Sequence, residues 1–234
     1  MKTALFLFAS ALAIASASNA LADDSANADA AQSRIDLAFG FAVTSDYISR
    51  GATQTDGQPA IQGYVEASYN IVYLGVWASN VSFGGAKDVE IDIYGGIRPT
   101  FGDLSLDFGY AHYYYPTDPT VYGELYAKAT YAVTDKVTPG VEFYYDPHNK
   151  TNWSVAKIEV SGLPWETVFS GRVGSDFGSQ SLGYTKVAWD AGMSKTFMDD
   201  TVKLDLRYHD ANDAKARFAA TLSFDFSTPL PVLE

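Results

Sequence analysis

The sequence predicts an all-β fold, a transmembrane antiparallel up-and-down β-barrel of about twelve strands. Two observations favour this fold: apolar and polar residues alternate in segments of about ten residues, and turn residues separate these segments. A third is that no stretch after the N-terminal region reaches the roughly 20 apolar residues that a spanning helix needs. A barrel strand carries its apolar residues at every second position, which keeps its mean hydropathy low.

The chain divides into four parts. Residues 1–22 have the form of a signal peptide, with Lys2, an apolar run to about Ala17 and a cleavage site at Ala20-Leu21-Ala22. Residues 23–34 are small and polar and predict a flexible periplasmic segment, 35–226 carry the strands, and 227–234 form a C-terminal tail. Export of a chain without cysteines argues against a small disulfide-stapled domain. An exported transmembrane β-barrel is expected in the outer membrane of a Gram-negative bacterium.

Six segments alternate clearly. In the first, Ile35, Leu37, Phe39, Phe41 and Val43 share one face, because successive side chains of a strand point to opposite sides. The other five begin near Val89, Val121, Val137, Val202 and Arg217, and the last of them ends at Phe226.

Six weaker strands fill the gaps, at Ala60–Tyr69, Ile71–Val81, Leu104–Tyr114, Asn152–Ser161, Thr167–Ser175 and Tyr184–Thr196. The third strand of the barrel is ambiguous in phase, since either Leu74, Val76 and Ala78 or Tyr73, Trp77 and Val81 suit the apolar face. The eighth has a possible register slip near Val155.

The two faces differ in charge, and this difference indicates which face meets lipid. One face of all twelve segments is predicted to carry no Asp, Glu, Lys or Arg, as expected where a charge at mid-bilayer costs roughly 2–4 kcal/mol. The other face mixes Gly and Ala with eleven acidic and eight basic residues, a composition typical of a crowded lumen. These residues are Asp36, Glu66, Glu90, Asp92, Arg98, Asp107, Glu124, Lys128, Glu142, Lys157, Glu159, Arg172, Lys186, Asp190, Lys203, Asp205, Arg207, Arg217 and Asp225.

The connections predict an orientation. With both termini in the periplasm, the extracellular connections are longer on average than the periplasmic turns, as in outer-membrane barrels. The longest of them is Asp46–Pro59. Acidic residues recur near these loops, where turn preference explains them more simply than divalent-cation bridges to lipopolysaccharide phosphates.

The composition excludes some functions and leaves others open. A net charge of −12 argues against nucleic-acid binding. The three histidines have no metal-ligand partner at a usual spacing, so neither a metal site nor a cofactor is predicted. Two rim-enzyme alternatives remain: His209-Asp210 with Asp46, in the manner of omptin-type proteases, and a phospholipase-like site at His112. Ordinary loop-forming and interfacial roles explain both sets of residues more simply.

Several segments resemble a known family. The stretches FGFAVTSDYISRGATQTDGQPAIQG, YLGVWASNVSFGG, DVEIDIYGGIRP and KLDLRYHD are similar to the TorF family of proteobacterial outer-membrane porins, and the resemblance extends over nearly all of the mature chain. It implies a channel function and no catalytic residues. One departure is the end of the chain, because Phe226 is followed by STPLPVLE, whereas such barrels commonly end on an aromatic residue.

These observations predict a porin-like channel, not an enzyme, through which small hydrophilic solutes diffuse passively with a weak preference for cations. The expected partners are outer-membrane lipid, lipopolysaccharide and the solutes themselves. The alternatives are a non-conducting structural or surface-interaction barrel and a rim hydrolase. The predicted mid-lumen residues, which set the field and the constriction, are Glu66, Asp92, Asp107, Glu124, Lys128, Lys157, Glu159, Arg172, Lys186, Asp190, Asp205 and Arg207.

Overall fold

A computed structural model describes residues 34–177 and 185–230, in which twelve antiparallel strands close into one barrel. The predicted signal peptide and the last four residues lie outside the described residues. Each strand pairs with the next along the chain, and the last pairs with the first. No helix in the described part is long and apolar enough to cross a membrane. The strands are β1 (Ile35–Thr44), β2 (Ala60–Tyr69), β3 (Val72–Phe83), β4 (Ala86–Ile97), β5 (Leu104–Tyr115), β6 (Asp118–Tyr131), β7 (Val137–Asp146), β8 (Thr151–Leu163), β9 (Thr167–Ser175), β10 (Val187–Phe197), β11 (Val202–Ala211) and β12 (Ala214–Leu230).

The alternating apolar and polar residues of the sequence occupy the outer and inner faces of the barrel wall. On β1 and β12 the phenylalanines of the apolar positions point outward, and Phe41 stacks on Phe224 across the pair with ring centroids 4.6 Å apart. The phase of β3 is settled by exposure, because Leu74 is 63% exposed on the outside whereas Tyr73 is 3% exposed inside. The irregularity of β8 lies between Val160 and Leu163, and the register runs without a break through Val155.

Within the predicted segments that the structure describes, the prediction of an outer face without charge fails at Lys195. Lys195 of β10 has the outward parity of Met193 and Trp189, near the end of its strand. Its ammonium donates to the carbonyl oxygen of Trp165 at 2.7 Å and lies 3.4 Å from Glu166. A lysine at a strand end can extend its ammonium toward water, which makes this outward position tolerable.

The two ends of the barrel differ in their connections. We call the end that holds Arg34 and Leu230 the turn end and the opposite end the loop end. Several predicted loops at the loop end are largely strand: β3 and β4 meet at the two-residue turn Gly84-Gly85, where both residues have the positive φ that such hairpins require. The last strand continues beyond Phe226 to Leu230, which pairs with Ile35, so the strand includes part of the predicted tail.

Candidate functional site

The connection between β1 and β2, residues 45–59, folds into the barrel, and we call it the inward loop. It contains a small hairpin of Ile48–Ser49 paired with Ala52–Thr53. The sequence pattern predicts that this segment is an extracellular loop, and in the structure much of it packs against the inner wall. Its buried residues are Asp46, Tyr47, Ile48, Ser49, Gly51, Gln54 and Thr55.

The root of the inward loop is fixed by the carboxylate of Asp46. One oxygen accepts hydrogen bonds from the hydroxyls of Thr53 and Thr55, at 2.6 and 3.0 Å. The other accepts from the guanidinium of Arg217 on β12, at 3.1 Å. A single buried carboxylate therefore joins the two sides of the loop to the wall, and charge-assisted bonds of this kind are stronger than neutral ones.

The outer part of the loop is held by Asp56. Its carboxylate accepts from the backbone N–H groups of Gly85 and Gly84, at 2.8 and 3.1 Å, and from the hydroxyl of Ser82, at 2.8 Å. The hydrogen bond from Gly85 and then that from Ser82 lower the pKa of Asp56, because they favour the charged form. The inward loop is thus tied to the turn between β3 and β4 as well as to β12.

The tip of the hairpin packs against the inner wall at β10 and β11. Arg50 and Gly51 both have positive φ, as the turn demands. A Cβ atom on Gly51 would lie only 2.5 Å from the Cβ of Ala211 and 3.0 Å from that of Ala188. Glycine is needed here on both counts, since the left-handed backbone and the close approach each disfavour a side chain.

Arg50 anchors the tip on another part of the wall. Its Nη2 donates to both carboxylate oxygens of Glu124 on β6, at 2.9 and 2.8 Å. The guanidinium carbon lies 5.3 Å from the ring centroid of Trp153 and 5.4 Å from that of Tyr144, within cation–π range. The hydroxyl of Tyr113 also donates to Glu124, at 3.0 Å. The inward loop consequently spans the lumen from β1 to the opposite side.

The inward loop divides the lumen into two halves. Toward the loop end, most inward side chains of the wall are buried; they include Thr44, Ala60, Val81, Glu90, Asp92, Tyr113, Glu124, Trp153, Val155, Ala188 and His209. Toward the turn end, many inward side chains remain partly exposed, among them Asp36, Arg98, Asp107, Lys128, Lys157, Arg172 and Arg207. The half toward the turn end is therefore partly accessible to water, although Tyr73 and Tyr94 are buried there, and most of the other half is filled.

Two ion-pair networks line the half toward the turn end. In the first, Arg98 lies 2.5 Å from Glu66 and 3.5 Å from Asp107, and Lys128 lies 3.8 Å from Asp107. The hydroxyl of Tyr73 donates to Asp107 at 2.5 Å, and the guanidinium of Arg98 lies over the Tyr73 ring at 3.5 Å. This network joins β2 through β6.

The second network lies on the other side of the lumen. Lys157 contacts Glu142 at 2.7 Å, and Arg172 contacts Asp190 at 2.6 Å. Arg207 contacts Asp190 at 2.6 Å and Asp205 at 2.9 Å. These pairs run from β7 to β11, so charged groups of both signs surround the partly open half of the lumen.

The predicted mid-lumen residues occupy four different places. Most of them belong to the two networks: Glu66, Asp107, Lys128, Lys157, Arg172, Asp190, Asp205 and Arg207. Asp92 and Glu124 lie in the filled half of the lumen. Lys186 precedes β10 at the loop end, where it pairs with Asp213 at 3.1 Å, and Glu159 lies exposed toward the turn end. A pore-lining role for these residues stays a prediction.

Sequence reasoning missed the residue that spans the lumen. Arg50 lies in a connection, where no alternation indicates which way a side chain points. Its aromatic neighbours Tyr144 and Trp153 are predictable as strand residues but not as contacts of a loop. The available signal was the combination of an Arg-Gly turn with an unusually long connection whose ends, Thr44 and Ala60, belong to adjacent strands.

The two histidines of the rim-enzyme alternatives lie on opposite faces of the barrel wall, His209 inside and His112 outside. His209 is buried on the lumen side, in register with Asp190 and Arg217, while Asp210 has the outward parity and contacts Tyr208. Neighbouring residues of a strand point to opposite faces, so the pair cannot act together. His112 is in register with the outward Ile93. Among the described residues, no group of three or more His, Asp or Glu side chains is arranged to hold a metal ion.

Comparisons with known proteins agree with the barrel. Residues 28–229 match a family model described as a bacterial protein of unknown function, Gcw_chp. A search of curated proteins found no relative. Among solved structures, the KdgM porin has a TM-score of 0.61 at 8% identity, covering 82% of this chain and 99% of KdgM. The COG4313 outer membrane channel from Pseudomonas putida F1 has a TM-score of 0.51 at 9% identity, covering 84% and 96%. At such identities the likeness concerns the fold.

Proposed function

Because this chain belongs to the Gcw_chp family of bacterial proteins of unknown function and folds like outer-membrane channels, we propose that it is a porin-like channel of the outer membrane. Small hydrophilic solutes would diffuse passively through its lumen. We further propose that residues 1–22 direct export, that the barrel lies among outer-membrane lipid and lipopolysaccharide, and that the chain is a TorF-type porin and not an enzyme.

The observation that carries this proposal is the wall of the half toward the turn end. Partly exposed ion pairs such as Arg98–Glu66 and Lys157–Glu142 line it, inside a wall whose outer face is apolar. Charged groups of both signs hydrate well and bind passing solutes only weakly, which suits conduction. A barrel that served only as a membrane anchor would have no need of a charged, water-accessible interior.

The inward loop determines the size of the solute in this proposal. Its tip touches β6 through Arg50, and β10 and β11 through Gly51, so any passage beside it must be narrow. One solved KdgM structure, with a TM-score of 0.59, is a complex with disordered oligogalacturonate. We propose smaller solutes for this chain, with the weak cation preference that eleven acidic against eight basic residues on the inner face support.

Planar-bilayer recording tests the proposal. Purified mature protein is inserted into a bilayer, single-channel currents are recorded in KCl, and the reversal potential is measured under a salt gradient. Discrete current steps with a modest cation preference are expected. A folded, inserted barrel that passes no current contradicts the channel.

A non-conducting structural or surface-interaction barrel is the second candidate, and the inward loop itself favours it. The contacts of Asp46 and Arg50 hold the loop across the lumen with charge-assisted bonds. The same recordings separate the candidates, because a permanently plugged barrel shows no steps until the inward loop is removed, whereas a constricted pore conducts with the loop in place.

A further inference from the structure

The turn end of the barrel carries an exposed patch that combines apolar and charged side chains. It is formed by the turn before β9 and by the end of β10 with the turn that follows, and β9 and β10 are neighbouring strands. We call Trp165, Glu166, Lys195, Phe197 and Met198 the rim patch. Trp165 and Met198 are 84% and 78% exposed, and the Lys195 ammonium lies 5.5 Å from the ring centroid of Phe197. Tryptophan and lysine side chains are typical of the level of lipid headgroups, so the patch is expected to lie at the membrane surface.

Lys195 and Glu166 place opposite charges side by side in the rim patch. The ammonium donates to the carbonyl oxygen of Trp165 at 2.7 Å and lies 3.4 Å from a carboxylate oxygen of Glu166. An ammonium has three donors, so these two contacts with the described part of the chain leave one donor for a ligand. The Glu166 side chain is 91% exposed, and an ion pair so exposed is weak. Its carboxylate is therefore available to a second cation.

The backbone of the turn before β9 has an uncommon conformation. Trp165 has φ 60° and ψ 25°, and Glu166 has φ 59°, which is the left-handed region that non-glycine residues adopt rarely. Strained residues of this kind cluster where side chains contact ligands. The turn thus presents an indole and a carboxylate at two positions where the local conformation alone would favour glycine.

The chemistry of the rim patch fits a lipid that carries both charges in its headgroup. The phosphate of a glycerophospholipid would accept a hydrogen bond from the Lys195 ammonium, and a primary ammonium would donate to Glu166. The apolar part of the lipid would cover Trp165 and Met198. A lipid with a phosphate and no ammonium would bring an uncompensated negative charge close to Glu166, and free phosphate would leave the apolar side chains uncovered.

We propose that the rim patch binds phosphatidylethanolamine, a glycerophospholipid with a primary ammonium, with its phosphate on Lys195 and its ammonium on Glu166. This proposal rests on the proposed membrane location and does not depend on conduction. It also accounts for the outward charge on β10, because Lys195 then meets a phosphate and not the hydrocarbon region.

Native mass spectrometry of the full mature chain tests the proposal. The protein is released from detergent micelles that contain equal amounts of phosphatidylethanolamine and phosphatidylglycerol with identical acyl chains, and the bound lipids are identified. We expect phosphatidylethanolamine to be favoured by about threefold, as one solvent-exposed ion pair implies. Glu166→Gln should abolish this preference while lipid still binds. Lys195→Met should lower the binding of both lipids by about threefold.

Two matched controls remove the same charges elsewhere. Lys87→Met removes an exposed lysine at the loop end, from a position with the outward parity of Val89. Asp103→Asn removes an exposed carboxylate from a different turn at the turn end. Both variants should bind the two lipids in the amounts and the ratio of the wild type.

The possible failures concern the lipid site and not the channel, which single-channel current tests separately. Equal binding of the two lipids by the wild type, or a preference that survives in Glu166→Gln, overturns the proposal. A folded wild type that retains neither lipid overturns it, as does a loss in Lys87→Met equal to that in Lys195→Met. If Lys195→Met does not fold, Glu166→Gln still decides, because its side chain is exposed and contacts only Lys195 in the described part of the chain.

Discussion

The half of the lumen toward the turn end and the half toward the loop end are built from the same alternating strands, yet they have opposite properties. One is partly hydrated and electrically balanced by pairs such as Lys157–Glu142. The other is largely filled, and it holds the buried Asp92 and the long-range pairs Arg50–Glu124 and Arg217–Asp46. The wall does not cause this difference, because inward charges occur in both halves. The inward loop causes it by excluding water from one half.

A barrel of this size can have a narrow lumen without being filled along its whole length. An eight-stranded barrel has room only for side chains, and a sixteen-stranded barrel encloses an aqueous channel. In a twelve-stranded barrel, the width of the lumen therefore depends on the side chains and loops that occupy it. Here the deciding element is a connection, residues 45–59, that is fixed at Asp46 and at Arg50. Conductance should therefore depend on this loop more than on any wall residue.

Removing the inward loop should have the largest effect. Replacement of residues 47–57 by a short Gly-Ser linker, together with Glu124→Gln to avoid an unpaired charge, should open the filled half and raise single-channel conductance several-fold. The measurement is single-channel current in KCl. The control replaces residues 147–150, the exposed connection between β7 and β8, with a linker of equal length, and its conductance should stay near the wild-type value. Equal conductance in both variants contradicts a constriction by the inward loop.

Breaking one ion pair in each half of the lumen should lower the free energy of unfolding, and by a larger amount in the half toward the loop end. Arg50→Ala leaves Glu124 buried beside the loop, with the pair only 6% and 2% exposed, and should lower the free energy of unfolding by about 3 kcal/mol. Lys157→Ala leaves Glu142, which is 7% exposed, with the hydrogen bond from Tyr144 and with water at the place of a lysine that was 33% exposed. The loss should therefore be smaller, about 1 kcal/mol after solvent screening. Urea unfolding of the lipid-reconstituted protein, followed by tryptophan fluorescence, measures both.

The double variant Arg50→Ala with Glu124→Gln serves as the control for this pair. It removes the unpaired charge, so it should be more stable than Arg50→Ala alone. Equal losses of unfolding free energy in the two single variants would contradict a difference in hydration between the two halves of the lumen.

The strands and their facing could be predicted from the sequence, because period-two alternation is a local signal that the wall preserves. Phe39 and Phe41 lie outward and Glu66 and Asp92 inward, as the pattern requires. Lys195 departs from the pattern because a strand end permits a lysine that the middle of the wall does not. The path of the inward loop could not be predicted in this way.

The course of that loop depends on contacts between positions far apart in the sequence. Arg50 binds Glu124 across 74 positions, and Arg217 binds Asp46 across 171. A connection has no periodicity that fixes its direction, so only the closed barrel reveals which partners come within reach. Asp92 illustrates the same limit, since its inward direction was predictable and its lack of a partner was not.

The smallest expected effect concerns the outer attachment of the inward loop, at Asp56. Hydrogen bonds from Gly85 and Ser82 lower its pKa, so the attachment contributes stability above the ordinary value of about 3.9 and loses it as pH falls through the lowered pKa. NMR of the protein in micelles should show the Gly85 amide shift titrating with a midpoint below that value, and Asp56→Asn should abolish the titration. A midpoint at or above the ordinary value contradicts the attachment. Conductance should change little over this range, because Asp46 and Arg50 still hold the part of the loop that narrows the lumen.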